Sequence, residues 1–167
     1  TSLPMDQFYN ELKETIRTNQ ATFDKLYLAY FFQFKLAECI TRTSKRKPPN
    51  YSTPYFRCEL NLNPNPTSGI SQHETLLRLS RIPNAGVYYA CGMLFDIDDV
   101  YETPDLERLR FVPINTAPVG WSTNQKHCLA FQTETDPAPL WCSKPIETIG
   151  MSAKDLRERG ELRLLTA

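Results

Sequence analysis

The stretch Tyr30-Phe31-Phe32-Gln33-Phe34-Lys35-Leu36 constrains the chain more than any other. In an extended backbone successive side chains point to opposite faces, so Phe31, Gln33 and Lys35 share one side and Tyr30, Phe32, Phe34 and Leu36 the other. The second side is wholly apolar and is expected to pack. The first sets an amide and an ammonium on a strand that otherwise reads as deeply buried, where a lysine is costly unless it has a task.

A chain of 167 residues is expected to form one domain over 1–167 and to hide roughly two-thirds of its unfolded surface. Nineteen basic and nineteen acidic residues cancel, so no global positive field draws in nucleic acid and any such binding must come from a local patch. Arg42, Lys45, Arg46 and Lys47 form one. Five cysteines, widely spaced and without a CxxC pair, read as free thiols in a reducing, cytoplasmic setting. No apolar run approaches the ~20 residues that cross a bilayer, and no signal peptide is visible, so no membrane partner is expected. Beginning at Thr1 rather than methionine, the chain reads as a trimmed one, compatible with a piece of a longer protein.

Residues 3–18 carry Met5, Phe8, Leu12 and Ile16 on one helical stripe with Pro4 at its start, the pattern of an amphipathic helix. Residues 20–36 turn aromatic and alternating, as one or two strands do. A short helical turn is predicted over 37–42 and a loop over 45–54. The alternation resumes over 54–62, with Phe56, Cys58, Leu60 and Leu62 on the packed side. Ser71 and Glu74 form an S-x-x-E box that opens a helix running to about Arg81. The apolar run in 86–93 suits a buried strand, and the order strand, helix, strand favours parallel pairing through a right-handed crossover. A short helix is predicted over 96–102, strands over 109–114 and 127–132, and a loop over 137–145. Ser152, with Asp155 after it, caps a final helix. The organisation is α/β, a small mixed central sheet flanked by helices.

Asp24 followed by Gln33-Phe34-Lys35 is the constellation with the most chemistry in it. Phosphodiester cleavage needs oxygen ligands for a hard divalent cation and a positive charge near the attacked phosphate. Asp24 offers a carboxylate, Gln33 a side-chain carbonyl and Phe34 its backbone carbonyl, while Lys35 holds water or neutralises developing charge. Glu11 or Glu14 on the first helix is a source of a second carboxylate. A plainer account stands beside this one: Lys35 snorkels to water from a strand end, and Asp24 is a turn residue.

Elsewhere, Arg57 on the 54–62 strand is a candidate phosphate contact and Glu59 a metal helper, against the plainer account of a half-exposed sheet face with cross-strand charge pairs. Gln72 and His73 at a helix start are placed to reach a nucleic-acid backbone. Arg42, Lys45, Arg46 and Lys47 suit a phosphate backbone or a solvated loop equally, and Tyr51 and Tyr55 are candidates for stacking on bases. Neighbouring residues on a strand point apart, so His127 does not activate Cys128, and with Cys142 these thiols read as structural. Asp96, Asp98 and Asp99 lack the pattern of a calcium loop and read as charge at a helix start.

From the first helix through Asp24, Gln33-Phe34-Lys35, the Tyr55 to Asn61 strand, the Ser71 to Arg81 helix and the Val87 to Cys91 strand, the chain resembles the PD-(D/E)XK nuclease superfamily in its variant with glutamine for the middle acid. The resemblance covers somewhat more than half the chain, a core of about 3–100, with 101–167 an unassigned extension of the same domain. It implies a restriction-endonuclease-like core and hydrolysis of DNA or RNA dependent on magnesium or manganese. In it Asp24 is the first metal-binding acid, Gln33 the second motif position and Lys35 the catalytic lysine. A homodimer or larger complex is compatible with it. The reading of a different class is a module that binds nucleic acid or protein without cleaving, of the immunity or anti-defence type.

Overall fold

A computed structural model describes Asn10 and residues 29–45, 47–93, 106–121, 126–142 and 144–166, with the side chains of 160–166 left aside. The predicted helix over 3–18, Asp24, Arg46 and the predicted helix over 96–102 lie outside the described residues.

The chain alternates strands and helices as β1 (Ala29–Ile40), β2 (Tyr55–Leu60), α1 (Gln72–Leu79), β3 (Ala85–Met93), β4 (Leu109–Pro113), β5 (His127–Phe131), β6 (Leu140–Trp141), β7 (Ile146–Glu147) and α2 (Ala153–Thr166). The seven described strands form one mixed sheet in the order β4-β3-β1-β2-β5-β6-β7. The class is α/β, as expected, with more sheet than helix. The turn predicted over 37–42 is not helical, because β1 runs on through Ile40. Its last residues find a partner strand: Glu38, Cys39 and Ile40 pair antiparallel with Arg57, Phe56 and Tyr55. The loop predicted over 137–145 contains the short β6.

Parallel pairing does occur around α1, but between β1 and β3 rather than β2 and β3, with Ala29 opposite Ala85 and Ala37 opposite Met93. β2 turns back along β1 and pairs on its far side with β5. Among the described residues, therefore, the 29–37 half of β1 pairs with β3 alone and only its 38–40 end reaches β2, so the sheet forks between β1 and β2. Asn84, at φ 60° in the left-handed region that asparagine tolerates, closes the turn before β3, and its carbonyl accepts the Ala29 amide at 3.1 Å.

β3 is buried on both faces, which accounts for its unbroken apolar run. Val87, Tyr89, Cys91 and Met93 join the larger core with Phe56, Cys58, Leu60, Leu62, Leu76, Leu79, Leu129, Phe131 and Trp141. Tyr88 and Ala90 face the other way, onto Phe111, Met151 and Leu156 of the smaller one. The four residues assigned to the packed side of β2 and its extension are all buried.

α1 and α2 differ in their caps. Ser152 and Asp155 cap each other reciprocally at the start of α2, through Ser152 N to Asp155 Oδ2 at 2.9 Å and Asp155 N to Ser152 Oγ at 3.1 Å. The bonds that Ser152 donates to Asp155 Oδ2, from its backbone N–H and then its hydroxyl at 2.8 Å, hold the Asp155 carboxyl below its usual range. At α1 only one half of the box forms: Ser71 Oγ accepts from Glu74 N at 3.1 Å, while the Glu74 carboxylate turns to Arg78 at 3.1 Å. Ser71→Ala is therefore expected to lower stability by about 1 kcal/mol, the usual value of one capping bond. A urea midpoint shift at unchanged slope checks it.

The apolar side of β1 departs from expectation. Phe34 and Leu36 are 65% and 71% exposed. Tyr30, Phe32, Tyr88 and Phe111 do pack as a group of rings, with Phe32 and Phe111 centroids 5.4 Å apart. Leu156 of α2, with Met151 just ahead of that helix, packs against Phe111 of β4, but among the described residues nothing covers the far half of β1. The half-buried face is instead the one that carries Gln33 and Lys35.

Candidate functional site

Alternation along β1 places Phe31, Gln33, Lys35 and Ala37 toward the α1 side of the sheet. Phe31 and Ala37 pack into the larger core, and the two polar residues sit between them at the fork. Lys35 lies in register with the buried Cys91 of β3. The helix that follows the fork contributes the third member, since Gln72 is the first residue of α1 and its backbone is set by the Ser71 cap.

These three side chains touch. The Lys35 ammonium donates to Gln72 Oε1 at 3.5 Å, Gln72 Nε2 donates to Gln33 Oε1, and Gln33 Nε2 donates to the Phe34 carbonyl at 3.1 Å. All three side chains belong to half-buried residues. Gln72 also lines an open cavity of about 740 Å³ with Asn61, Asn63, Asn65, Thr67 and Thr75. The rim of this cavity is shaped by side-chain to backbone bonds: Asn61 Oδ1 accepts from Asn63 N at 2.9 Å, and Asn65 Oδ1 from Thr67 N at 2.8 Å.

The remaining candidates fall elsewhere. Arg42 and Lys45 are exposed in the loop beyond the end of β1, and Lys47 donates to the Tyr51 carbonyl. From Lys35 to Ile40 alone the strand advances about 17 Å at ~3.3 Å per residue, so this basic loop is remote from the Gln33, Lys35 and Gln72 group along β1. Arg57 pairs with Glu38 at 3.1 Å and Glu59 at 3.8 Å. Glu38 belongs to the Phe34 and Leu36 side of β1, so Arg57 works on the opposite face from Lys35. Tyr55 is buried, and the Tyr51 hydroxyl is engaged with the Ala130 carbonyl at 3.1 Å and Asp136 at 3.3 Å.

His73 turns away from Gln72 into the core, where Nδ1 meets the Tyr89 hydroxyl at 2.9 Å. Its ring lies 5.1 Å from that of Trp121, whose ring stacks 4.3 Å from His127, and Trp141 meets Trp121 edge-on at 5.2 Å. Both histidines of the chain thus converge on one indole. Burial is the main reason that His73 is pushed down to about 4; Glu74 opposes this and His127 adds to it. It is neutral at pH 7 and offers no charge to a phosphate. The cluster borders a second cavity of about 630 Å³, with His73, Glu74, Arg81, Asn115 and Trp121 in its wall. Sequence reasoning missed this assembly because its members come from separate elements and loops, and no spacing along the chain links them.

The thiols match their structural reading. None of the five cysteines is in a disulfide; Cys142 is held well above the ordinary thiol range by a hydrogen bond with Cys128 and by burial, and Cys91 likewise by a hydrogen bond with Cys58 and burial. His127 is buried opposite Leu60 while Cys128 stands opposite Glu59, on the other face of β5.

Among the described residues no three His, Cys, Asp or Glu side chains converge to hold a metal ion. The oxygens at the fork, those of Gln33 and the Phe34 carbonyl, are of the hard type that magnesium and manganese take, but both are neutral. A cation there needs a carboxylate, and those that the sequence suggests, Asp24 and then Glu11 or Glu14, lie outside the described residues.

With the geometry in view, the class is an α/β protein with a forked, mixed sheet and an amide and amine cluster at the fork. The chain matches no protein-family model, and neither a curated protein nor a solved structure is significantly similar to it. Among the described residues no helix is long and apolar enough to cross a membrane.

Proposed function

We propose that the chain has a restriction-endonuclease-like core and is a phosphodiesterase acting on DNA or RNA, in which Asp24, Gln33 and the Phe34 carbonyl would hold magnesium or manganese. The supporting observation is the environment of Lys35. Among the described residues its ammonium, half-buried between core side chains, has a neutral amide as hydrogen-bond partner rather than a carboxylate. An ammonium beside a neutral amide has donors that an anionic acceptor suits better, and a phosphate oxygen is such an acceptor.

When bound, the cation would polarise the phosphate and activate the attacking water. The chain's own residues do the rest. Lys35 donates to a phosphate oxygen and offsets the negative charge that grows in the transition state, which an amine in a half-buried site does better than one in water. The asparagine-rimmed cavity offers amide donors to the flanking backbone.

The test is cleavage of plasmid DNA and structured RNA by the purified chain with manganese or magnesium. Lys35→Ala is expected to lower kcat by about 10²–10³-fold, as loss of one transition-state donor does. Its thermal unfolding midpoint should stay near that of the parent. Absence of cleavage with either metal, together with no metal-dependent change in the midpoint, overturns the hydrolase. The second reading, binding without cleavage, draws on the absence of an acidic cluster among the described residues. It expects salt-dependent retention of nucleic acid in EDTA that Lys35→Ala weakens.

A further inference from the structure

We infer that the fork between β1 and β2 is a docking site for an extended segment of a partner protein, which adds as a strand along Phe32 to Leu36 and alternates apolar residues with acidic ones. Such docking needs no cation and is independent of the hydrolase reading. In a parallel pair the main-chain N–H and C=O of one residue both point to the neighbouring strand, and those of the next residue point away. The Ala29 amide donates to the Asn84 carbonyl, just ahead of β3, at 3.1 Å, so the odd-numbered residues of β1 serve β3 and the even-numbered ones face the fork. Of these, Glu38 and Ile40 meet Arg57 and Tyr55 of β2. Phe32, Phe34 and Leu36 meet no strand on that side among the described residues. The Phe34 carbonyl has a substitute, the Gln33 side-chain amide that donates to it at 3.1 Å. On the opposite bank the same alternation turns the main chain of Glu59 toward the fork, just beyond the last pair with β1.

The chemistry of the edge selects its occupant. A row of main-chain donors and acceptors without a neighbouring strand is met best by another extended backbone. Phe34 and Leu36 stand 65% and 71% exposed on the outer face beside Phe32 at 38%, so the added strand covers them with apolar residues at alternate positions. The positions between point to the inner face, where the Lys35 ammonium has a neutral oxygen, Gln72 Oε1, as its hydrogen-bond partner at 3.5 Å. A carboxylate is the better acceptor there. The outer face has the opposite preference, because the exposed carboxylates of Glu38 and Glu59 flank it. Acidic residues of the partner therefore belong inside and apolar ones outside. A second copy of the chain is the wrong shape: its β1 already carries β3 on one flank and β2 at its end, whereas a lone segment has both edges free for the two banks.

The probe is a fluorescein-labelled seven-residue peptide of alternating valine and glutamate, capped at both ends and added to the full chain in EDTA. Fluorescence polarisation is expected to show saturable binding. Phe34→Ser and Lys35→Met should each weaken it about tenfold, the scale of one apolar side chain newly covered or one charged hydrogen bond. A peptide with lysine in place of glutamate should bind at least about tenfold more weakly than the first. Amide hydrogen exchange reads the edge without any variant. In the free chain the amides of Phe32, Phe34 and Leu36 should exchange faster than those of Gln33 and Lys35, which serve β3, and the glutamate peptide should slow the faster three. Equal protection of all these amides in the free chain means that the edge is already covered, and overturns the docking site. So does a peptide that fails to bind, one that binds without slowing those three amides, or a lysine peptide that binds as tightly. Protection of the same amides that grows with protein concentration in the absence of peptide assigns the edge to a second copy and overturns the peptide partner.

Discussion

Trp141→Ala is expected to cost about 3–5 kcal/mol, the usual range for deleting a fully buried aromatic side chain. The residue is wholly buried on the two-residue strand β6, in register with Leu129. Its ring meets Trp121 at 5.2 Å and Tyr89 at 6.3 Å, both edge-on, the geometry that aromatic quadrupoles favour. Alanine leaves a cavity beneath the β5 and β6 pair and strips support from the histidine and tryptophan stack. Domains are stable by only about 5–15 kcal/mol, so the loss is a large part of the total. Trp141→Phe is the control. The Trp141 indole N–H is buried without a hydrogen-bond partner among the described residues. An unpaired buried donor costs about 1–3 kcal/mol, so removing it offsets part of the lost ring. The phenylalanine variant should fall less than half as far as the alanine variant in urea unfolding. Equal losses would show that packing of the ring is not what holds this corner together.

Acid should destabilise the protein between pH 6.5 and 4 through His73. Its pKa is lowered from 6.5 to about 4, chiefly by burial, so the unfolded chain takes up a proton first as pH falls. The contribution is complete above pH 6.5, declines through the window and is gone below about 4. At ~1.36 kcal/mol for each pH unit, the loss is about 3 kcal/mol. His73→Phe keeps a ring against Trp121 and removes the titration. It starts lower, by about 1 kcal/mol, because the Tyr89 hydroxyl loses its partner. Its stability should then change little from this position across the same window. If parent and variant lose stability in parallel, carboxylates rather than His73 govern the acid transition.

Much of the fold was legible along the chain because its signals are short in range. β2 shows its packed side by alternation, β3 its double burial by an unbroken apolar run, and α1 and α2 their starts by Ser71 and Ser152. Of the candidate site, the sequence placed Gln33 and Lys35 on one face of a strand, which the backbone alternation of β1 confirms. It paired them with Asp24, whose position lies outside the described residues, and it treated Gln72 as a separate contact. The Lys35 to Gln72 and Gln72 to Gln33 bonds join residues 37 and 39 positions apart. No periodicity along the chain reports a meeting at that separation.

The same limit explains the misread face of β1. Four apolar side chains in alternation are a sound reason to expect a covered surface, but cover is decided by where the helices lie. α2 settles over β4, and Phe34 and Leu36 stand beyond its reach. The choice of β1 as the parallel partner of β3 is of this kind too.

The amino-acid sequence by itself determined the alternation of β2, the buried run of β3, the caps at Ser71 and Ser152, and that an amide and an amine share one side of β1. The order of strands across the sheet, the fork, the two histidines closed around one tryptophan, and the Gln72 link were decided by the tertiary structure alone. Local geometry repeats every two residues in a strand and every 3.6 in a helix, so neighbours carry its signal. Contacts across a sheet depend on which distant segments bury one another best, a property of the assembled core.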